Sequence, residues 1–168
     1  EVWISLRGNQ MLPAISRDGS QIAYITDLAG RPDLFIQSIH QRGKELGRPR
    51  QLFSYPQATQ ASPTFSPDGR KLAFVSDKDG PAKVYLLEVP AINAKKSQQP
   101  RLLTRKNREN TSPAWSPDGT KLAYSARNDG FRQIWIYDFS SGEEWQLTFG
   151  VQNKENPAWA PDSLHLLY

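Results

Sequence analysis

Residues 62–80 read SPTFSPDGRKLAFVSDKDG, and residues 112–130 read SPAWSPDGTKLAYSARNDG. Both stretches place two apolar runs either side of Ser-Pro-Asp-Gly. In Ser66-Pro67-Asp68-Gly69, Ser stands first, Pro second and Gly fourth, the preferences of a type I turn. Gly at the end can take the positive φ that lets a hairpin continue through a bulge. SPTFS (62–66), which runs into the turn, and KLAFVS (71–76) after it are therefore expected to be the two strands of a hairpin.

Two more copies flank these. LPAISRDGSQIAYITDLAG (12–30) precedes them and NPAWAPDSLHLLY (156–168) follows. Each copy starts on a proline, at Pro13, Pro63, Pro113 and Pro157, giving spacings of 50, 50 and 44 residues. The turn aspartates Asp18, Asp68, Asp118 and Asp162 are the structural anchors of the repeat. A period of 40–50 residues suits a propeller blade and is too long for a leucine-rich or ankyrin unit.

Within one repeat the order is expected to be four strands. The second copy reads SPTFS, KLAFVS, KVYLLEV (83–89) and RLLT (101–104). The third reads PAWS, KLAYSA, QIWIYDF and EWQLT, and the first PAIS, QIAYIT, DLFIQSI and RQLF. KVYLLEV and QIWIYDF are apolar on both faces, as strands buried between stacked sheets must be. The fold class is all-β: a β-propeller of four-stranded antiparallel blades at 13–54, 63–104 and 113–149, with a half blade at 157–168. EVWISL (1–6) reads as the outer strand of a preceding blade. The 168 residues are expected to form a single partial propeller domain, cut from a longer ring, whose open ends are exposed, swapped or paired with a second copy.

The chain has no cysteine, which removes disulfide and thiol chemistry. No apolar run reaches the roughly 18 residues a membrane span needs, so direct membrane insertion is not expected. The net charge is +4, with basic residues concentrated at RGKELGRPR (42–50) and AKKSQQPRLLTRKNR (94–108). No nucleic-acid recognition motif accompanies them, and solvated loops with a charged edge strand explain them better. Of two histidines, His40 closes a third strand and His165 sits on the last hairpin; with no G-x-S-x-G present, a structural or solvated role is expected. DKDG and RNDG lack the remainder of a calcium loop, so no metal or other cofactor is expected. Glu143 and Glu144 read as solvated hairpin residues. Trp115 and Trp159 recur at one repeat position and read, with Trp135, as core between blades.

The string P-x-(W/F)-S-P-D-G-x-(K/R)-L-A-(F/Y) resembles the propeller repeat of the TolB family, and the resemblance runs over essentially the whole chain. Arg17 stands where Pro is usual and Ser163 where Gly is usual. The family implies a six-bladed ring and a non-enzymatic role in the periplasm. There it docks the peptidoglycan-associated lipoprotein Pal, alongside other Tol proteins, in the system that maintains the outer membrane and supports cell division. Similar repeats occur in the gating propellers of prolyl-oligopeptidase-like and tricorn-like serine peptidases, which is the alternative reading.

In a propeller, the loops entering the innermost strands share one face with the loops between second and third strands. On that face Asn9, Gln10, Gln60, Ser62, Asn110, Thr111, Ser112, Glu155 and Asn156 are expected to ring the channel mouth. Individually they read equally well as partner-binding groups or as groups satisfying local backbone. Collectively, loops on a rigid scaffold favour binding.

Overall fold

The SPDG turns form as their chemistry dictates. In a computed structural model that describes residues 10–27, 32–40, 45–90 and 99–168, the amide of Gly69 donates to the Ser66 carbonyl at 2.8 Å, and Gly19 and Gly119 do the same in their turns. The Ser66 hydroxyl donates to Asp68 at 2.5 Å, with 2.6 Å for Ser16–Asp18 and for Ser116–Asp118. The same aspartate accepts the amide two residues on, at 3.0 Å in all three. The final glycine takes φ of 69°, 70° and 74° in the three turns; Ser163, which replaces it in the fourth, is held at 61°. Arg17 in place of proline leaves the first turn intact.

Every regular element among the described residues is a strand. The first sheet comprises β1 (Gln10–Ile15), β2 (Gln21–Thr26) and β3 (Asp33–His40), with β4 (Glu45–Leu46) and β5 (Arg50–Gln51) both pairing with β3. The second runs β6 (Gln60–Phe65), β7 (Lys71–Ser76), β8 (Lys83–Glu88) and β9 (Arg101–Leu102). The third runs β10 (Arg108–Trp115), β11 (Lys121–Asn128), β12 (Phe131–Asp138) and β13 (Glu144–Gln146). A two-stranded sheet, β14 (Ala158–Trp159) and β15 (Leu166–Leu167), follows. All pairings are antiparallel between chain neighbours, except that β5 joins β3 beyond β4. Residues 1–9, which include the expected outer strand EVWISL, lie outside the described residues.

The outer strands are shorter than the apolar runs suggest. RLLT contributes only Arg101–Leu102 to a strand, because Thr104 replaces backbone with side chain: its hydroxyl accepts the Val84 amide at 3.0 Å. Thr148 repeats this with Ile134 at 2.9 Å. The first strand of the third sheet is longer, starting at Arg108.

Side chains alternate between two seams with the period of two that strands impose. Leu72, Phe74, Tyr85 and Leu87 face the first sheet and meet Ala23, Ile25, Leu34 and Ile36 there. Ala73, Val84 and Leu86 point the other way, onto Leu122, Tyr124 and Ala126 of the third sheet. Ala123, Ile134 and Ile136 then meet Trp159 and Leu166. The second and third sheets are thus buried on both faces, and the innermost strands β1, β6, β10 and β14 stand side by side in series. Trp115 and Trp159 lock that series. Each half-buried indole N–H donates to the innermost strand of the sheet before it, Trp115 to Thr64 O at 3.2 Å and Trp159 to Ala114 O at 3.1 Å. Trp135 packs partly buried at the seam between the second and third sheets.

Candidate protein-docking face

The repeated prolines shape the channel side of the fold. Proline has no amide proton to give the ladder. The β6–β7 register accordingly skips from Ala61↔Val75 to Thr64↔Ala73, setting two residues, 62 and 63, against one. The same bulge interrupts β1 between Met11 and Ala14 and β10 between Thr111 and Ala114. The residue before each proline is forced into the left-handed region: Leu12 (φ 51°), Ser62 (49°), Ser112 (50°) and Asn156 (53°). None is glycine, so each carries strain of about 1 kcal/mol, repeated four times around one rim. Consecutive bulges touch, the Ser112 hydroxyl lying 2.8 Å from Asn156 Oδ1.

The entering loops close onto the turns between second and third strands, so both do lie on one face. Asp77 accepts the Thr59 amide at 2.7 Å and its hydroxyl at 2.8 Å. Fifty residues on, the same joint is an ion pair, Arg127 to Glu109 at 3.4 Å. Arg132 is the hub of this face. Its guanidinium donates to Glu109 O at 2.7 Å and to Thr111 Oγ1 at 3.3 Å, and pairs with Glu155 at 3.0 Å, while its amide donates to Asn153 Oδ1 at 2.9 Å. One arginine thereby binds the entering loop of the third sheet to that of the fourth repeat. Comparing positions 50 residues apart would have exposed the Thr59/Asp77 and Glu109/Arg127 joints; nothing in the sequence singled out Arg132.

The expected mouth residues divide. Ser62, Thr111 and Ser112 are half-buried, and Glu155 and Asn156 exposed, all on this face. Gln60 and Asn110 are buried, at 3% and 0% exposure, and cannot reach a partner. This corrects their reading as partner-binding groups. Gln60 turns its amide to Ala58 O at 3.2 Å. Asn110 belongs to a buried polar chain. Thr104 donates to Asn110, Asn110 to Asn107, Asn107 to Tyr124 OH at 2.9 Å, and Tyr124 to Glu144 Oε2 at 2.7 Å. Glu144 Oε1 then accepts the Arg105 amide at 2.9 Å. Gln60 and Asn110 both stand three residues before the repeat proline, and that recurrence is the sign of a structural position. Glu144, expected to be solvated, is 6% exposed. Burial, then Glu144's charge and hydrogen bond, push the Tyr124 hydroxyl far above the usual tyrosine range, so it remains a donor. Asn9 lies outside the described residues, as does the side chain of Gln10, whose backbone pairs with Thr26. His165 lies exposed in the last turn with Nδ1 2.6 Å from Asp162, whose carboxyl it lowers to about 2.

A surface pocket of about 470 Å³ opens on this face between Tyr55, Pro56, Gln57, Ala58 and Lys78. Lys78 Nζ stands 4.9 Å from the Tyr55 ring and 5.4 Å from that of Tyr85. It pairs with Asp79 at 3.0 Å, and Asp79 accepts the Tyr85 hydroxyl at 2.7 Å. Together the face offers bulged polar side chains, one aromatic-walled recess and a held arginine: hydrogen-bonding and packing groups on a rigid frame.

The family model of the TolB beta propeller domain matches residues 4–168. The chain belongs to the TolB β-propeller family. It is 52% identical over 154 residues to a TolB homolog of Protochlamydia amoebophila, covering 91% of this chain and 33% of that protein. A TolB homolog of Chlamydia felis is 46% identical over 57 residues. The chain thus spans about a third of the length of the first of these relatives. Among solved structures, TolB from Acinetobacter baumannii superposes with a TM-score of 0.78 at 24% identity, covering 98% of this chain and 38% of that one. A puromycin-hydrolyzing peptidase of Mycobacterium tuberculosis superposes at 0.72 with 15% identity, over 93% of this chain and 24% of that one. Likeness at these identities carries the propeller fold; membership in the family rests on the sequence matches.

Proposed function

We propose that the chain is a non-enzymatic docking module. It would act in the periplasm and hold a Pal-like lipoprotein, with other Tol proteins as further partners, in maintaining the outer membrane. The lipoprotein would seat on the bulged face. Family membership supports the role, and the run of Ser62, Ser112 and Asn156 on consecutive bulges is the observation that supports the place. These side chains are small, polar and uncharged, and the four-times-repeated strain holds them on a rim where a partner's backbone can reach them. The peptidase-gating alternative draws on the shared fold alone.

The test is a pull-down with the Pal-like lipoprotein of the same organism. Ser112→Arg and Asn156→Arg put bulk and charge on the rim and are expected to cut retention at least tenfold, as losses at the centre of an interface do. Ser141→Arg, in the exposed turn between β12 and β13 at the opposite end, is expected to leave retention unchanged. Retention that ignores all three substitutions would remove the rim from the interface.

A further inference from the structure

The stretch Arg105-Lys106-Asn107-Arg108 was read as a solvated basic loop, yet it is built as a rigid one. Asn107 is 7% exposed and sits at the centre of the buried chain from Thr104 to Glu144. The Arg105 amide is held by the Glu144 carboxylate, and the Lys106 ammonium donates to the Glu144 carbonyl at 2.7 Å. From the neighbouring strand end, Lys83 Nζ donates to Arg105 O at 3.3 Å. The loop's backbone is thereby fixed from within, while the side chains of Arg105 and Arg108 are left in solvent.

The charges around this loop are unbalanced. Lys83, Arg105, Lys106 and Arg108 converge there, and the carboxylate that faces them is the buried Glu144, already taken by Tyr124 and the Arg105 amide. Nearby Glu109 is turned to Arg127 and Arg132 instead. Elsewhere on the same face Arg127 and Arg132 are matched by Glu109 and Glu155, and Lys78 by Asp79. Burial, and then the Arg108 charge, hold Lys83 below the usual lysine range against an opposing pull from Glu144.

We propose that this loop and Lys83 form a preorganised seat for an acidic segment of a docking protein, with carboxylate side chains bridging Arg105 and Arg108. Guanidinium groups bind carboxylates through paired, directional hydrogen bonds, and a fixed backbone spares the ordering cost. The patch is one short loop, on a face that also carries Asp77, Asp79, Glu109 and Glu155. Nucleic acid and other long polyanions need an extended basic stripe, which this face does not offer. A short carboxylate segment needs only the loop. The seat extends the docking face described above but does not depend on which partner uses the rim.

A fluorescent ten-residue peptide of alternating Glu and Gly, and its Gln counterpart, test the seat on the intact chain. The Glu peptide is expected to bind at least tenfold more tightly than the Gln peptide, and to weaken severalfold as salt rises and screens the pair. R105A/R108A, at two exposed positions, is expected to lose about tenfold, with circular dichroism unchanged. Glu-peptide binding should also protect Lys83 from acylation, read by mass spectrometry, while Lys154 stays reactive. Equal affinity for the two peptides, or an unchanged double variant, overturns the proposal. Binding of inorganic polyphosphate without binding of the Glu peptide overturns it in favour of a phosphate ligand. Because no lipoprotein is present, this failure is separate from a failed pull-down.

Discussion

The seam between the first and second sheets and the seam between the second and third occupy equivalent places, yet they are closed by different chemistry. In the first, Phe74 is fully buried and stacks on Phe53 with ring centroids 5.0 Å apart, and Tyr55 covers Phe53 at 4.9 Å. In the second, the residue fifty positions on is Tyr124, equally buried, with its hydroxyl between Asn107 and Glu144. One oxygen atom separates Phe from Tyr, and the surroundings are rebuilt to suit it. Leu103 replaces Phe53 in the repeat, and Asn107, Asn110 and Glu144 supply partners. An apolar seam tolerates approximate fit and is strong in proportion to area. A polar seam adds strength only if every group is satisfied, and it also fixes the geometry of the loop that carries it. The repeat thus allows one seam to be mere cement and the next to be a frame for a surface.

The largest expected effect is on the apolar seam. Phe74→Ala should cost about 3–5 kcal/mol in urea unfolding, since nothing can collapse into the space between two sheets. A loss under 1 kcal/mol would mean that the sheets re-pack freely. Exchanging the two seam residues comes next. Tyr124→Phe should cost about 1–3 kcal/mol by orphaning Asn107 and one oxygen of Glu144, and Phe74→Tyr should cost a similar amount by burying a hydroxyl with no partner. If both exchanges are neutral, the two seams are interchangeable. Gly69→Ala and Gly119→Ala should then be equal to each other, at about 1 kcal/mol, whatever seam they adjoin. In each the added methyl meets only ordinary contacts, 3.9 Å from Ser16 Cβ and 3.6 Å from Pro67 Cδ, so the cost is that of φ near 70° alone.

The same contrast explains how much the sequence disclosed. The turns, the hairpins and the four-strand repeat depend on local residue preference and on periodicity, and KLAFVS reads directly as the strand Lys71–Ser76. What escaped depends on contacts between repeats. Glu144 looks like a solvated hairpin residue until Tyr124 and the Arg105 amide are brought against it. Asn110 looks like a mouth residue until Thr104 and Asn107 close over it. Arg132 carries no local signature, because two of its four partners come from β10 across its own sheet and two from the segment before β14, all distant in sequence. The bulges escaped too: the prolines mark where each repeat starts, while the lapse in pairing and the left-handed turn of the preceding residue emerge only in the folded sheet.

The smallest expected effect is shared by both seams and so provides their common baseline. The Ser16 hydroxyl, with the Ser20 amide and hydroxyl, lowers the Asp18 carboxyl from 3.8 to about 2. The Ser66 and Ser116 hydroxyls, then the Arg70 and Thr120 amides, lower Asp68 and Asp118 in the same direction. A carboxylate whose pKa is depressed by folding stabilises the fold fully above its unfolded value. That contribution fades as pH falls through the folded one. Stability should therefore be level down to about pH 4 and decline between there and about pH 2. These carboxylates are exposed, so solvent screens them and the decline should be shallow. Replacing Ser16, Ser66 and Ser116 together by Ala removes the main cause of the shift and should flatten that decline in urea midpoints measured from pH 5 to pH 2. The flattening should be the same whether Phe74 or Tyr124 is also altered, because the turn aspartates bond within their own turns and the seam's polar chain is a separate network. An acid response that changed with the seam residue would place the titrating group at the seam instead.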